Sequence, residues 1–358
     1  PPGMASMNVL IMAGGTGGHV FPALAVAARL REQGHAVTWM GAPDSFESRR
    51  VPEAGFAIEF VRVSGLRGKG VMKLLAAPLL LLRALCDALA VLRKVQPQVV
   101  LGMGGFAAGP GGLAARLKQI PLVIHEQNAA AGLTNRLLAR IATVVLQAFP
   151  NTFAGKTQTV GNPVRAGFVE LPAPAARLAH EGRTRVLVVG GSQGAKALNE
   201  LVPQALALMP QAARPEVRHQ AGRTLAVAQG AYAETGMQAR VEAFIADMPA
   251  AYAAADLVIC RSGASTIAEL SAAGCASLLV PFPFAVDDHQ TANARYLADA
   301  GAALLIQERE LTPQRLAQEL QTLLADRAAL IRMSDAARAK AWTHSTDDIV
   351  AALLGAAA

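Results

Sequence analysis

The hydrophobic pattern of this chain repeats once. Near the start, Asn8-Val-Leu-Ile-Met-Ala-Gly-Gly-Thr-Gly-Gly18 carries an aliphatic run straight into a glycine-rich turn, and just past the midpoint Arg185-Val-Leu-Val-Val-Gly-Gly-Ser-Gln-Gly-Ala195 does the same. Helical patterns follow both turns, Phe21 to Gln33 after the first and Lys196 to Met209 after the second. Strand, glycine turn and helix in that order open a doubly wound α/β unit. The two openings lie about half the chain apart, which predicts two such units in tandem.

Further apolar runs predict more strands. Ala36–Met40, Val99–Leu101, Leu122–Ile124 and Val144–Leu146 fall in the first half, and Val241–Ile245, Leu257–Cys260 and Ser277–Val280 in the second. Helical patterns lie between them. Parallel sheets covered on both faces give continuous apolar runs of this kind rather than alternation. The turn-rich Val160-Gly-Asn-Pro-Val164 is the predicted hinge. The domains read from this pattern are residues 7–162 and 163–341.

Composition sharpens the picture in three places. A length of 358 residues suits two cores of about 150 to 200 residues each, and 53% hydrophobic residues with no long polar tract argues against extensive disorder. Cys86, Cys260 and Cys275 are odd in number, far apart and in apolar settings, so they predict neither a disulfide framework nor a zinc site and fit a reducing compartment. The N-terminal Pro1–Met7 lacks the apolar core of a signal peptide and reads as a short leader or appended segment. Charge is uneven: residues 1–162 hold 16 Lys/Arg against 7 Asp/Glu, a balance of +9, whereas residues 163–358 hold 17 against 19, or −2. A basic half suits an anionic membrane surface or a phosphate-bearing ligand. Nucleic acid is a weaker partner, because no basic-aromatic cluster accompanies the charge.

Three glycine-rich loops, Gly14–His19, Gly102–Gly105 and Gly190–Gly194, are the candidate chemistry. Absent side chains let an anion approach the backbone, and the following helix N-terminus offers N–H donors. The alternative is tight strand-to-helix packing. Lys196 stands between alanines, so no P-loop is present, and the turns miss G-x-G-x-x-G, which disfavours a dinucleotide site and with it a nicotinamide-dependent oxidoreductase.

Longer motifs are more specific. Gly14-Gly-Thr-Gly-Gly-His-Val-Phe-Pro22, Leu101-Gly-Met-Gly-Gly-Phe-Ala-Ala-Gly-Pro-Gly-Gly112, His125-Glu-Gln-Asn128, Gly161-Asn-Pro-Val-Arg165, Val189-Gly-Gly-Ser-Gln-Gly-Ala195, Cys260-Arg-Ser-Gly-Ala-Ser-Thr-Ile-Ala-Glu269 and Asp288-His-Gln290, with Asn293-Ala294, strongly resemble the MurG family in residues, order and spacing. The resemblance runs from about residue 8 to residue 345. It implies an α/β fold of GT-B type, two Rossmann-like doubly wound domains facing a central cleft, with a C-terminal helix at about 342–358 packing back on the first domain. It implies inverting transfer of N-acetylglucosamine from UDP-N-acetylglucosamine to the muramyl 4-hydroxyl of undecaprenyl-diphosphate-linked muramyl-pentapeptide. It also implies no cofactor, no metal in the chemical step, the cytoplasmic face of a bacterial inner membrane, and cell-wall synthesis proteins as partners.

The resemblance assigns the sugar nucleotide mainly to the second half, and the residue chemistry agrees. Arg165 offers a guanidinium fork to a diphosphate, and Ser192 can donate to a phosphate oxygen, although a hinge arginine and a helix cap are the plainer readings. Ile245 is implied to read uracil through its backbone, while also reading as a core residue. Ala264, Ser265, Thr266, Ile267 and Ala268 form a helix start at the nucleotide, with Glu269 accepting both ribose hydroxyls. Gln290 can bind sugar hydroxyls through both ends of its amide; His289 beside it reads as a spacer or diphosphate contact. The residues before Asp288-His-Gln290 vary in the family, which loosens the expectation there. Thr16, Gly17, Gly18 and Asn128 would reach the donor sugar, and Gly14, Gly15, Gly104 and Gly105 the acceptor diphosphate. His19 is a candidate general base, with loop orientation as the alternative; Glu126 is the rival base, or a structural carboxylate satisfying loop amides.

Leu66–Arg83 joins Arg67, Lys69, Lys73 and Arg83 to a nine-residue apolar run, Leu74–Leu82, too short to span a bilayer. It reads either as a core helix or as an interfacial helix with its cations near lipid headgroups. A UDP-sugar epimerase of the same fold and a non-enzymatic nucleotide-sugar module are the rival functions; the basic first half and Leu66–Arg83 count against the epimerase.

Overall fold

The computed structural model describes residues 6–63, 71–191 and 194–358. They form two compact units: the chain up to Val164 together with His344–Ala358, and Arg165–Thr343.

The first unit is built on seven parallel strands: β1 (Asn8–Met12), β2 (Ala36–Gly41), β3 (Ala57–Phe60), β4 (Val99–Gly102), β5 (Leu122–Glu126), β6 (Val144–Gln147) and β7 (Gln158–Thr159). Their order across the sheet is β3-β2-β1-β4-β5-β6-β7. Strand periodicity sorts the side chains of β1 to opposite faces. Val9 and Ile11 join one buried cluster with Val20, Ala23 and Ala27 of the helix Gly17–Glu32. Leu10 and Met12 join another with Ala84, Ala88 and Val91 of the helix Val71–Val95. The C-terminal helix Ser345–Ala357 belongs to the first of these clusters through Ile349, Val350 and Leu353, and Arg29 Nε reaches Asp347 Oδ1 at 2.7 Å beside them.

The second unit repeats the plan with six parallel strands: β8 (Arg185–Val189), β9 (Glu216–Gln220), β10 (Arg240–Glu242), β11 (Leu257–Cys260), β12 (Ser277–Leu279) and β13 (Ala303–Leu305), in the order β10-β9-β8-β11-β12-β13. Val186, Val188, Leu257, Ile259 and Leu278 pack with Leu198, Val202 and Leu206 of the helix Lys196–Leu208.

In both sheets the strand order reverses beside the opening strand, between β1 and β4 and between β8 and β11. In an open α/β sheet, ligands bind outside the carboxyl ends at that switch point. The loops there carry Gly14–Gly18 and Gly102–Gly105 in the first unit, and Gly190, Gly191 and Gly194 with Arg261–Gly263 in the second.

Six elements differ from the sequence reading. The first helix begins at Gly17 rather than Phe21, because Thr16 O already accepts the N–H groups of His19 and Val20. The strand expected over Val241–Ile245 spans Arg240–Glu242, so Ile245 leaves the ladder. Strands β3, β7, β9 and β13 escape the pattern because they are short or, like Glu216-Val-Arg-His-Gln220, interleave charge with apolar positions. Leu66, Arg67 and Lys69 lie outside the described residues. Gly68 and Gly70 lie outside them too, Val71–Arg83 belongs to the helix Val71–Val95, and among the described residues no helix is long and apolar enough to cross a membrane.

Candidate active site

In the first unit the two glycine turns lock together. Gly14 N–H donates to Gly104 O at 3.2 Å, and a Cβ on Gly105 (φ +98°) would fall 2.8 Å from Gly14 N, so only glycine fits that approach. The buried Glu47 closes the turn from the other side: its carboxylate accepts Gly15 N–H at 2.9 Å and Ala42 N–H at 3.1 Å. Gly14 and Gly15 are the residues expected at the acceptor diphosphate, and these are the contacts their N–H groups make. Both N–H groups are committed inside the protein, and a carboxylate already lies on the loop. These contacts do not involve the N–H groups of Thr16–Gly18, at the helix start, or of Gly104 and Gly105.

His19 stands half-buried at the end of this loop, its Nδ1 3.0 Å from Gln127 Oε1. Gln127 Nε2 donates to Met103 O at 3.0 Å and lies 3.2 Å from His125 Nδ1, and His125 Nε2 lies 2.8 Å from Gly161 O. His125 is fully buried, and that burial depresses its pKa to about 4, against a smaller opposing pull from the Gly161 carbonyl. It is a neutral imidazole at physiological pH. The buried Glu126 faces its own loop: it accepts from Asn128 N–H at 3.1 Å, Asn135 Nδ2 at 2.9 Å and Gly132 N–H at 3.4 Å. These bonds match the structural alternative raised for this residue. Asn128 sits beside it with Nδ2 3.5 Å from the same carboxylate.

In the second unit Ser192 lies outside the described residues. The residues around its loop interlock: Gly190 N–H donates to Gln220 O at 2.9 Å and Gly222 N–H to Ala243 O at 3.0 Å. Ile245 is buried, and its N–H donates to Gln220 Oε1 at 2.8 Å. The backbone donor expected to read a base is thus held by a side chain. Phe244 beside it is 70% exposed, a bare aromatic face next to that position.

The helix Ala264–Ala273 starts after Gly263, directly beyond β11. It places Glu269 where Tyr252 Oη donates to its carboxylate at 3.4 Å. Burial raises the Glu269 pKa to about 7, with the Arg165 charge and the Tyr252 hydrogen bond pulling the other way. Arg165 is exposed, with Cζ 5.2 Å above the ring of the buried Phe168. Arg165 and Glu269 therefore share one electrostatic neighbourhood. Gln290 Oε1 accepts the N–H groups of Phe282 at 2.9 Å and Ser262 at 3.2 Å. Its NH2 end is the end not used in these two bonds. Among the described residues no group of His, Cys, Asp and Glu side chains could together hold a metal ion.

Two family models match the chain, the glycosyltransferase family 28 N-terminal domain over residues 9–147 and its C-terminal domain over residues 185–349. A protein of Nitrosococcus oceani named UDP-N-acetylglucosamine--N-acetylmuramyl-(pentapeptide) pyrophosphoryl-undecaprenol N-acetylglucosamine transferase is 58% identical over 93% of this chain and 94% of its own length. One of the same name from Marinobacter nauticus is 53% identical over 97% of both chains. The crystal structure of Acinetobacter baumannii MurG superposes with a TM-score of 0.87 at 42% identity, covering 98% of this chain and 99% of that one. This chain belongs to the MurG family of glycosyltransferases. Its fold class is accordingly GT-B, with two Rossmann-like domains in one chain. The calicheamicin glycosyltransferase CalG4, 19% identical with a TM-score of 0.69 over 98% of this chain, shares the fold alone.

For a MurG-family chain, sequence reasoning found the loops but missed three side chains that hold them. Gln127 lay in view inside His125-Glu-Gln-Asn128, where its neighbours carried the more reactive groups. Glu47 and Gln220 gave no signal, since the backbone atoms they bind are contributed largely by other segments.

Proposed function

We propose that this chain transfers N-acetylglucosamine from UDP-N-acetylglucosamine to the 4-hydroxyl of a muramyl-pentapeptide carried on undecaprenyl diphosphate. The observation that carries this reading is 58% identity to a transferase of that name over 93% of the chain. The residues supply a consistent chemistry. His19 takes the hydroxyl proton, the acceptor oxygen bonds to C1 of the sugar from the face opposite the leaving group, and the C1–O bond to the diphosphate breaks with inversion. UDP departs with its charge offset by Arg165, by the Ser192 hydroxyl and by the backbone N–H groups of Ala264, Ser265 and Thr266 at the helix start, where Ile267 and Ala268 complete the turn. Glu269 accepts the ribose hydroxyls, Ile245 meets the base, and Gln290, Asn128, Thr16, Gly17 and Gly18 contact the sugar. Gly104 and Gly105 face the acceptor diphosphate. Glu126 holds the loop that carries Asn128 rather than acting as base. The step needs no metal, so a chelator leaves turnover unchanged.

The test is UDP release with and without the lipid-linked acceptor. Acceptor-dependent release supports the transferase; conversion of UDP-N-acetylglucosamine alone to an epimer would overturn it.

The acceptor's lipid gives the first unit a membrane to meet. Leu79 and Leu82 are 70% and 57% exposed on the helix Val71–Val95, next to the exposed Arg83. The adjoining helices Ala108–Leu117 and Leu133–Leu138 add exposed Leu117, Leu133 and Leu137 with Arg116 and Arg136. Apolar side chains fringed by cations suit the interface of an anionic bilayer. Each cation contributes about 1 kcal/mol there, so reversing Arg67, Lys69, Lys73 and Arg83 to glutamate is expected to abolish co-sedimentation with anionic vesicles while UDP binding persists. Wild-type attachment at all salt concentrations would place the membrane face elsewhere.

A further inference from the structure

The hydrogen bonds around His19 contain a complete account of their protons. A carbonyl oxygen can only accept, so the two backbone carbonyls in the chain of contacts fix everything between them. Gly161 O, 2.8 Å from His125 Nε2, requires the proton on that nitrogen. His125 is neutral, so its Nδ1 carries a lone pair and accepts from Gln127 Nε2 at 3.2 Å. Met103 O, 3.0 Å from the same Gln127 nitrogen, independently requires the NH2 group on that side. Turning the amide over would set Gln127 Oε1 against the Met103 carbonyl. Gln127 Oε1 therefore faces His19, and His19 Nδ1, 3.0 Å away, must be the N–H. The ring cannot slide out of this register, because it lies against the loop backbone: a Cβ on Gly104 would come within 2.6 Å of His19 Nδ1.

We infer that Gln127 is the positioning residue that holds His19 in its Nδ1–H tautomer and so leaves Nε2 as the basic nitrogen, with His125 fixing Gln127 from behind. The inference deepens the reading of His19 as the base and rests on it for its consequence, although not for its geometry. When Nε2 takes the acceptor's proton, the resulting imidazolium keeps its Nδ1–H on Gln127 Oε1. No proton passes along the chain to the amide or to His125. The device orients; it does not conduct.

The tautomers can be read directly by 15N NMR of the histidine-labelled protein, at a pH where both rings are neutral. His19 is expected as Nδ1–H and His125 as Nε2–H, opposite forms in one molecule. Finding His19 as Nε2–H in the wild type would overturn the inference without any variant. In Gln127→Met the His19 signal should move to a tautomer mixture, with kcat lower by about 10- to 100-fold and the KM for UDP-N-acetylglucosamine unchanged. An unchanged tautomer and unchanged kcat in Gln127→Met would also overturn it. A His19→Ala variant at full kcat sinks the base reading instead and leaves the NMR result standing.

Discussion

Each unit buries one histidine on a strand of its sheet, and the two are put to different use. His125 on β5 and His219 on β9 both lose solvent almost completely, and burial takes each down to a pKa of about 4. His219 Nε2 donates to Asn199 Oδ1 at 2.8 Å and Nδ1 accepts from Tyr232 Oη at 2.8 Å; Asn199 Nδ2 continues to Thr224 O at 3.3 Å. Thr224 Oγ1 donates onward to Ala221 O at 2.8 Å and packs where a Cβ on Gly194 would sit. That network ends on backbone and shapes a loop. The network through His125 ends on another imidazole and sets which of its nitrogens is basic. A buried neutral histidine is thus a two-ended spacer of fixed polarity, and what it does depends on the group at its outer end.

Acid should separate the two units most visibly. A histidine at about 4 when folded and 6.5 when unfolded leaves the unfolded chain holding more protons in that window, so stability falls as pH drops from about 6.5 to 4. The loss is about 3 kcal/mol per histidine. Glu269 has the opposite sign: raised from 4.5 to about 7, it protonates first in the folded state and adds stability as pH falls through that range. The second unit's gain and loss should nearly cancel, whereas the first unit carries its loss alone. Calorimetry between about pH 7 and 4.5 should move the first unit's transition further down; equal shifts would break the comparison.

The next effect is on the nucleotide. Glu269→Ala should weaken UDP binding by about 1.5 to 3 kcal/mol, the worth of hydrogen bonds to a charged acceptor. In the wild type, affinity should rise as pH passes up through about 7 and the carboxylate ionises. Glu269→Gln should lose that rise, and titration calorimetry across this range checks both. The smallest effect has the reverse sign. Gln220 Oε1 competes with a base for Ile245 N–H, so Gln220→Met should lower thermal stability and tighten UDP binding by about 1 kcal/mol. Weaker binding would mean that Gln220 supports the base instead of yielding to it.

The fold was legible because its signals are local. Val9–Met12 and Val186–Val189 are buried strands and look it, and each glycine turn follows without a gap. The candidate site was half legible for the same reason. His19, Arg165 and Glu269 announce their chemistry by residue type. Which groups are already engaged does not show in the sequence, because it depends on contacts between distant segments. Glu47 occupies Gly15 N–H from 32 positions away, and Gln220 occupies Ile245 N–H from 25. Charge interleaving likewise hid β9, although it pairs along its whole length with β8.

The return of Ser345–Ala357 to the first unit imposes an order on biosynthesis. A ribosome delivers Val9, Ile11 and Val20 early, yet the Ile349, Val350 and Leu353 that join the same cluster emerge only after all of Arg165–Thr343. The second unit is continuous in sequence and can finish folding before the first, although its synthesis starts later. Until then the part of that face over β4, β5 and β6 remains apolar and uncovered, the kind of surface that chaperones bind during translation. A nascent chain stalled before residue 344 should be aggregation-prone in its first half and already protease-resistant in its second.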